Sequence, residues 1–396
     1  MSQTPDLRPR ILVVDDVEAN RDLLVLRLER EGYEGIATAG DGEEALERLA
    51  AESFDLVLLD VMMPRRDGYG VLQQLKTDGR LADLPVIVIS ANNEMDSVVR
   101  CIELGAVDYL QKPFNPTLLR ARVTASLEKK RLRDEVRAHL ARLSVELDAA
   151  RELQASMLPG AFPAPTAERP VEIFATMIPA REIGGDLYDF FFIPGGRLCF
   201  LVGDVSGKGI PAALFMARAK NLIQLVTELL AEARGEPPSP AEIIERVNRE
   251  LAEDNATMMF VTLFFGMLDP ASGELLYCNA GHDAPFLVGG GSVGDVNGPR
   301  AMAVGVDADQ RYATGRAQLR PGDVLYLFTD GITEATNRED QLFARTRLGA
   351  ALAAAPDGSP RALIESVAAA VQGFAEGAPQ ADDVTALALR LTALRA

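Results

Sequence analysis

Short apolar runs alternate with amphipathic stretches across residues 10–126. The apolar runs, which predict strands, cover residues 11–14, 34–38, 56–59, 86–89 and 107–110. The amphipathic stretches, which predict helices, cover residues 18–30, 42–51, 68–76, 95–104 and 116–126. Repeated β–α units of this size predict an α/β domain with a doubly wound parallel sheet. Sheets of this kind bind ligands at the carboxyl ends of their strands.

A heptad-like seam follows in residues 127–157, a stretch with neither Gly nor Pro and with many charges of both signs. Its positions step by four and three, at Val136, Leu140, Leu143, Leu147, Ala150, Gln154 and Met157. This spacing predicts a short parallel coiled coil, and therefore a homodimer formed through residues 127–157. The alternative is a single solvated helix lying on one domain, and Gln154 weakens the seam at its end.

Prolines at positions 159, 163, 165 and 170 end the helical pattern and mark a domain boundary. Strands are then predicted at residues 171–178, 198–202, 259–267, 275–279, 324–329 and 384–391, and helices at 210–233, 240–254 and 360–375. Strands that cluster before helices predict an α+β sandwich rather than repeated βαβ units. The expected organisation is a flexible N-terminus (1–9), an N-terminal domain (10–126), a helical coiled-coil linker (127–158) and a C-terminal domain (159–396).

Composition narrows the classes of function. The chain has 396 residues, a formal net charge of -18 and a pI near 4.7, which argues against nucleic acid as a partner, because nucleic-acid binders carry a basic surface. The longest apolar run, residues 258–268, is well short of the ~18–20 residues that a membrane-spanning helix needs. The first residues lack the apolar core of a signal peptide. We therefore expect a cytoplasmic protein with neither a membrane nor a nucleic-acid partner.

Acidic residues stand at the carboxyl ends of two predicted strands in the N-terminal domain. Asp15 and Asp16 follow the first strand, and Asp60 follows the third. Three carboxylates at one sheet edge would repel one another unless a cation lay among them, and oxygen ligands select a hard ion such as Mg2+. Ser90 ends the fourth strand and Lys112 ends the fifth. A carboxylate nucleophile beside a metal, a hydroxyl and an ammonium group suits the formation of an acyl phosphate.

These residues, with the motifs Asp60-Val61-Met62-Met63-Pro64, Asp67-Gly68 and Lys112-Pro113-Phe114, resemble the receiver domain of two-component response regulators, which is flavodoxin-like. The resemblance covers residues 10–126. It implies that Asp60 accepts a phosphoryl group from a sensor histidine kinase or a phosphotransfer protein. The other implied roles are Mg2+ binding by Asp16, Asp60 and the carbonyl of Met62, with Asp15 acting through water, phosphoryl contacts by Ser90 and Lys112, and an aromatic switch at Tyr109. Ser90 stands where the family more often has Thr, which keeps the hydroxyl.

Five acidic or glycine-rich motifs lie at predicted turns in the C-terminal domain. They begin at Gly184 (GGDLYD), Gly203 (GDVSGKG), Asn279 (NAGH), Thr329 (TDG) and Asp382 (DDVT). Glycine allows a close backbone approach and lets a carbonyl oxygen serve as a ligand. Clustered aspartates without supporting cysteine or histidine indicate hard divalent ions, Mg2+ or Mn2+, rather than zinc.

Residues 152–391, including these motifs and the approach ELQASMLP from Glu152, resemble metal-dependent protein phosphatases of the bacterial RsbU and SpoIIE type. The resemblance implies a phosphoserine/phosphothreonine phosphatase with two Mn2+ or Mg2+ ions, in which water attacks phosphorus without a covalent enzyme intermediate. Asp204, Asp330 and Asp382 would be the catalytic core. The implied ligands are Asp204, bridging both ions, the carbonyl of Val205, Asp330, Asp382, Asp186 acting through water, and Asp383.

Other enzyme classes fit less well. The Cys-x5-Arg pattern of thiol phosphatases follows none of the three cysteines. Diguanylate cyclases need an acidic residue and Phe after Gly-Gly-Asp/Glu, whereas Leu187 and Tyr188 follow Asp186.

The resulting expectation is a response regulator whose phosphorylation at Asp60 controls a protein phosphatase. The implied substrate is a phosphorylated anti-sigma-factor antagonist in a partner-switching circuit. The alternative is a phospho-gated, non-catalytic adaptor that keeps the phosphatase-like fold. Intact Asp204, Asp330 and Asp382 argue against that alternative.

Overall fold

The computed structural model describes residues 9–91, 95–234, 237–253, 255–355 and 358–395, and the chain divides into two compact units after Leu143. The expected flexible N-terminus falls almost wholly on residues 1–8, which lie outside the described residues. The elements that begin in the first unit are β1 (Arg10–Val14), α1 (Glu18–Arg30), β2 (Gly35–Ala39), α2 (Gly42–Ala51), β3 (Leu56–Asp60), α3 (Gly68–Thr77), a short 3-10 helix (Arg80–Ala82), β4 (Val86–Ser90), α4 (Met95–Leu104), β5 (Asp108–Gln111) and α5 (Pro116–Met157).

The first unit is built on a parallel sheet with strand order β2-β1-β3-β4-β5. Successive side chains of β1 point to opposite faces, so Ile11 and Val13 pack with α1 and α5, while Leu12 and Val14 pack with α2, α3 and α4. Helices therefore cover both faces, which confirms the predicted doubly wound parallel sheet. The strands all end at the same edge, where Asp60 and Ser90 are the last residues of β3 and β4.

Helix α5 continues without a break through the end of the predicted N-terminal domain and through the predicted linker. Within the first unit, Arg133 and Arg137 bond the turn at Ala82 and Asp83, and Lys130 Nζ lies 3.1 Å from Asp55. The apolar seam predicted for a coiled coil is largely exposed on the single chain, and the coiled coil itself stays a prediction. Among the helices that the structure describes, none combines the length and the apolar character that a bilayer crossing requires.

The second unit contains the end of α5, followed by mostly antiparallel strands with helices between them. Its elements are β6 (Val171–Ile178), β7 (Leu187–Phe192), β8 (Leu198–Val205), α6 (Ile210–Arg234), α7 (Pro240–Ala252), β9 (Val261–Leu268), β10 (Glu274–Ala280), β11 (Phe286–Gly289), β12 (Ser292–Asp295), β13 (Arg300–Ala301), β14 (Gly315–Gln318), β15 (Val324–Phe328), α8 (Asp330–Thr333), α9 (Ala344–Ala354), α10 (Pro360–Ala375) and β16 (Val384–Leu391).

These strands form two sheets packed face to face. One has the order β13-β10-β9-β8-β7, with β14 also paired to β10, and the other has the order β12-β11-β15-β16-β6. A buried cluster that includes Phe200, Phe264 and Leu387 fills the space between them. Helices α6 and α7 cover the outer face of the first sheet, and α9 and α10 cover the outer face of the second. This arrangement confirms the predicted α+β sandwich.

Several elements of the second unit were not among those predicted. Strand β7 begins directly after Asp186, where the sequence had suggested a turn motif, and its Phe190-Phe191-Phe192 run does not alternate with polar residues. The strands β11 to β14 are short, and helix α9 has no pronounced apolar stripe. Such segments are weak sequence signals, because they take their structure from the sheets on which they pack.

Candidate functional site

Three carboxylates meet at the carboxyl edge of the N-terminal sheet. Asp15 and Asp16 follow β1, Asp60 ends β3, and one carboxylate oxygen from each lies within 4.8 Å of the others. Asp15 and Asp60 are buried, whereas Asp16 is exposed. An oxygen-only donor set of this kind, open on one side, fits a hard divalent cation such as Mg2+.

Lys112 reaches into this group from the end of β5. Its Nζ lies 2.6 Å from Asp15 Oδ2 and 2.7 Å from Asp60 Oδ2. Burial raises the pKa of Asp60, and the hydrogen bond from Lys112 opposes this rise without cancelling it. Burial acts to lower the pKa of Lys112, but its hydrogen bonds to Asp15 and Asp60 outweigh that effect and leave the pKa raised. Lys112 therefore stays charged beside the carboxylate that would receive a phosphoryl group.

The other residues implied by the receiver resemblance lie around Asp60. Ser90 is buried at the end of β4, and the Tyr109 hydroxyl lies 3.5 Å from the Ser90 carbonyl oxygen, at the long limit for a hydrogen bond. The backbone N–H of Met62 donates to the Asp60 carboxylate, while the Met62 side chain is exposed. The structure thus places Ser90, Lys112 and Met62 beside Asp60, and their roles in phosphoryl transfer stay predictions.

A second set of carboxylates gathers in the C-terminal unit from four separate turns. Asp186 precedes β7, Asp204 lies near the end of β8, Asp330 begins α8 after β15, and Asp382 precedes β16. Leu187 pairs with Gly203 in the ladder between β7 and β8, which brings Asp186 beside Asp204. The four aspartates come from strand ends in both sheets, and the packing of the two sheets brings them together.

These carboxylates raise one another's pKa values. Burial raises the pKa of Asp204 to about 7, with repulsion from Asp330 and Asp382 adding to it. Burial, followed by repulsion from Asp204, holds the pKa of Asp186 well above its ordinary value, and burial also raises the pKa of Asp330. These carboxylates repel one another when they are ionised, and a bound divalent cation would offset that repulsion. The donor set therefore fits Mg2+ or Mn2+.

The C-terminal carboxylates are spread more widely than the N-terminal ones. Among the described residues, only Asp15, Asp16 and Asp60 form a group of three carboxylates with oxygens within 4.8 Å of one another. Both carboxylate oxygens of Asp383 accept hydrogen bonds from the backbone, one from the N–H of Ala180 (2.8 Å) and the other from the N–H of Gly185 (2.6 Å). Asp383 therefore holds the loop before Asp186, and its predicted role as a ligand remains a prediction.

Thr329 and Gly185 support the carboxylate cluster of the C-terminal unit. Thr329 Oγ1 donates to Asp186 Oδ2 at 2.7 Å and accepts from the backbone N–H of Thr385 at 3.1 Å, so it ties two turns together. A Cβ added to Gly185 would lie only 3.0 Å from the carbonyl oxygen of Val205, the predicted backbone ligand. Glycine at position 185 therefore lets the chain pass close to that carbonyl without displacing it.

Two further contacts were not foreseen from the sequence. Lys208 Nζ lies 2.9 Å from Asp382 Oδ2 and donates to the carbonyl oxygen of Ala381 at 2.7 Å. Gln154, near the end of α5, is buried and bonds both backbone groups of Gly184, donating to its carbonyl oxygen at 2.6 Å and accepting from its N–H at 3.1 Å. The sequence indicated no role for Lys208, and it indicated Gln154 only as a weak position in an apolar seam.

His282 is a structural histidine. Its Nε2 lies 3.0 Å from the carbonyl oxygen of Phe328, which can only accept, so Nε2 carries the proton and Nδ1 accepts from Thr262 Oγ1 at 3.0 Å. Burial lowers the pKa of His282 to about 4. The neutral ring thereby joins β9 to the end of β15, two residues before Asp330.

Two family models match the chain. The model of the stage II sporulation protein E (SpoIIE) family matches residues 194–392, about half of the chain, and that of the response regulator receiver domain matches residues 11–124. Together they agree with the arrangement expected from the sequence motifs.

Individual proteins match part of the chain. Protein IcfG of Synechocystis is 28% identical over 265 residues, which are 62% of this chain and 41% of that protein. The probable transcriptional regulator ycf27 of Guillardia theta is 42% identical over 124 residues, 31% of this chain and 47% of that protein. The matched part thus spans half or less of the length of these curated relatives. The SiaA PP2C domain of Pseudomonas aeruginosa has a TM-score of 0.54 and 23% identity, covers 64% of this chain and 98% of that domain, and shows a common fold.

Proposed function

Because the chain belongs to the SpoIIE family and carries a receiver domain before its PP2C-type phosphatase domain, we propose that it is a response regulator in which phosphorylation of Asp60 controls a metal-dependent phosphoserine/phosphothreonine phosphatase. The observation that carries the proposal is the carboxylate cluster around Asp204, in which burial and neighbouring aspartates raise the pKa of Asp204 to about 7. Such a cluster suits cation binding better than it suits proton transfer by a single acid.

In the phosphatase domain, we assign the holding of two Mn2+ or Mg2+ ions to Asp204, the Val205 carbonyl, Asp330 and Asp382, with Asp186 acting through water. Two cations bound there supply activated water and neutralise charge on the phosphoryl oxygens. Thr329 keeps Asp186 in place through its 2.7 Å hydrogen bond, and Asp383 fixes the loop that precedes Asp186. The protein's own contribution is thus to hold acidic ligands from four turns in one arrangement.

In the receiver domain, we assign phosphoryl acceptance to Asp60, with Asp15, Asp16, Asp60 and the Met62 carbonyl holding Mg2+. Lys112 and Ser90 would contact the phosphoryl oxygens, and Tyr109 would respond to the charge at Asp60. The phosphoryl donor would be a sensor histidine kinase or a phosphotransfer protein. The 2.7 Å contact from Lys112 to Asp60 supports this assignment. It places the lysine ammonium group where the oxygens of an acyl phosphate would lie.

We propose a phosphorylated anti-sigma-factor antagonist as the substrate, within a partner-switching circuit. This part of the proposal is supported by the resemblance to the RsbU and SpoIIE branch. The chain would act as a homodimer through residues 127–157, where Val136 and Leu140 expose 58% and 59% of their surfaces. Paired helices would remove that apolar area from water.

The proposed coupling runs through α5. Phosphorylation at Asp60 would change the packing of residues 116–157, and Gln154 would pass the change to Gly184, two residues before Asp186. Helix α6, which begins five residues after Val205, would move with the same turns. A side chain that bonds both backbone groups of Gly184 gives α5 a direct connection to the loop carrying Asp186.

The experiment that tests the activity measures hydrolysis by the full chain with Mn2+, using p-nitrophenyl phosphate and a panel of phosphorylated antagonist proteins. We expect turnover by the wild type and its loss in Asp330→Ala, with Asp340→Ala in an exposed turn as the matched control. Metal-dependent turnover that survives Asp330→Ala would contradict the assigned site. No metal-dependent turnover, with or without phosphorylation of Asp60, would favour the non-catalytic adaptor instead.

A further inference from the structure

A cavity of about 460 Å3 lies beside the carboxylate cluster of the phosphatase domain. Its lining includes Asp382, Gly331 and Lys208. Gly331 is next to Asp330 in the chain, and the Lys208 ammonium group is paired with Asp382. The cavity and the cluster therefore share a wall. Its volume is within the range of roughly 300–1,000 Å3 that is usual for ligand sites.

The cavity is lined mainly by small apolar side chains. Helix α10 contributes Ala368, Val371 and Ala375, and the segment before β16 contributes Ala378 and Pro379. The alanines leave a space that larger side chains at the same positions would fill. An apolar group is the favoured occupant against this part of the wall, because a charged group would lose its hydration there without gaining partners. The polar and charged side chains of the remaining lining are Lys208, Glu334, Thr336, Gln372, Gln380 and Asp382.

The rim nearest the cluster is fixed by hydrogen bonds. Gln380 Nε2 donates to the carbonyl oxygens of Ile178 (2.8 Å) and Asp382 (2.7 Å), and Lys208 Nζ donates to that of Ala381 (2.7 Å). Residues 380–382 are thereby held against β6 and against the turn after β8. A preformed rim reduces the ordering cost that binding would otherwise carry.

We propose that this cavity binds an apolar side chain of the phosphoprotein substrate, located within a few residues of the phosphorylated serine or threonine. The inference rests on the proposed function, because a phosphoryl group held at the cluster brings its flanking residues to the shared wall. Lys208, on the shared wall, presents a positive charge to the phosphorylated side, while the neighbouring side chain meets the alanine-rich lining.

The substrate side of the test uses phosphoserine peptides on an alanine frame, with leucine placed in turn at each of the three positions before and after phosphoserine. Hydrolysis by the full chain with Mn2+ is followed by phosphate release. We expect leucine at one position to raise kcat/KM by about tenfold over the alanine parent, as apolar pockets typically discriminate. Hydrolysis of p-nitrophenyl phosphate, which carries no flanking residue, is measured alongside.

The protein side of the test fills the cavity with Ala375→Phe and, at the more exposed mouth, Ala368→Phe. The matched control is Ala369→Phe, on the same helix but outside the lining. We expect the leucine preference to fall at least fivefold in either filling variant, relative to the rate on p-nitrophenyl phosphate. Ala369→Phe should retain the preference, and circular dichroism checks that each variant is folded.

The outcomes separate the inference from the function on which it rests. Equal values for leucine and alanine peptides, including no peptide turnover, with p-nitrophenyl phosphate still hydrolysed, overturn the cavity's role and leave the phosphatase intact. A filling variant that slows both substrate types equally also overturns it, because the cavity would then act on the metal site. No turnover of any substrate would instead defeat the proposed function.

Discussion

The two carboxylate sites of this chain differ in the position of their positive charge. At the receiver site, Lys112 contacts both Asp15 and Asp60 within 2.7 Å, so a lysine ammonium group lies among the carboxylates. At the phosphatase site, Lys208 pairs with Asp382, and Asp204 and Asp186 face mainly other acids and a threonine hydroxyl.

This difference agrees with opposite roles for aspartate. A carboxylate paired with a fixed ammonium group can itself attack phosphorus, since the charge that develops on the phosphoryl oxygens is already matched. Carboxylates that mainly repel one another are better suited to holding divalent cations, and water is then the nucleophile. The comparison predicts that each site fails separately when its own aspartate is changed.

The largest expected effect is at the receiver site. Asp60→Asn keeps the side-chain shape but removes the nucleophile, so labelling by acetyl phosphate should be abolished. Phosphate incorporation measured by mass spectrometry checks this, with Asp78→Asn, an exposed residue after α3, as the control. Hydrolysis of p-nitrophenyl phosphate with Mn2+ should persist. Labelling that survives Asp60→Asn would assign the acceptor to another residue.

The complementary change is Asp204→Asn. We expect Mn2+-dependent hydrolysis to fall by more than about 100-fold, beyond the range for residues that only support metal ligands. Calorimetric titration should show loss of Mn2+ binding at the phosphatase site, while acetyl phosphate still labels Asp60. A variant that binds Mn2+ normally but hydrolyses nothing would show that Asp204 acts on the substrate rather than on the metal.

A smaller effect is expected for Thr329→Val, which keeps the shape and removes the 2.7 Å hydrogen bond to Asp186. Groups that orient metal ligands typically contribute about 10- to 100-fold. The affinity for Mn2+ and the rate at limiting Mn2+ should fall in that range. The rate should recover in part at high Mn2+, and a variant with unchanged affinity would indicate that Asp186 needs no orienting partner.

The smallest expected effect concerns acid stability, which should differ between the two units. His282 has a folded pKa of about 4, below the unfolded value, so the unfolded chain binds the proton more readily between pH 6.5 and pH 4. The stabilising contribution is therefore complete above about pH 6.5 and is lost as the pH falls, by about 3 kcal/mol at most. Urea unfolding of the phosphatase domain at several pH values measures this.

Two variants isolate that contribution. In His282→Gln the free energy of unfolding should be lower at pH 7, and the extra loss between pH 6.5 and pH 4 should disappear. His139→Gln, in the exposed part of α5, should behave as the wild type. An acid-induced loss that is equal in His282→Gln and the wild type would show that carboxylates, not His282, set the acid limit.

Much of the fold could be predicted from local patterns, because the five apolar runs and intervening amphipathic stretches of residues 10–126 each carry their own signal. The continuity of α5 could not, since nothing in the seam at 127–157 says whether a helix starts anew or continues from Pro116. Strand β7 was missed because Phe191 packs against one apolar cluster and Phe190 and Phe192 pack against another, so apolar residues do not alternate with polar ones.

At the sites, aspartates beside glycine in turns were visible from the sequence, and the structure brings Asp186, Asp204, Asp330 and Asp382 together. The contacts between distant turns were not visible. Thr329 meets Asp186 across 143 positions and Gln154 meets Gly184 across 30, and such pairs depend on how sheets and helices pack. Asp383 shows the same limit, since the backbone N–H groups that donate to its carboxylate, those of Ala180 and Gly185, lie 203 and 198 positions away in the sequence.

The central claim is that the state of Asp60 controls hydrolysis at Asp204. The most direct test is the rate of Mn2+-dependent hydrolysis by the full chain with and without beryllofluoride, in the wild type and in Asp60→Asn. The account predicts a change of about fivefold or more in the wild type, as expected for coupled sites, and none in Asp60→Asn. An unchanged wild-type rate, with beryllofluoride binding at Asp60 verified by fluorine NMR, would contradict it.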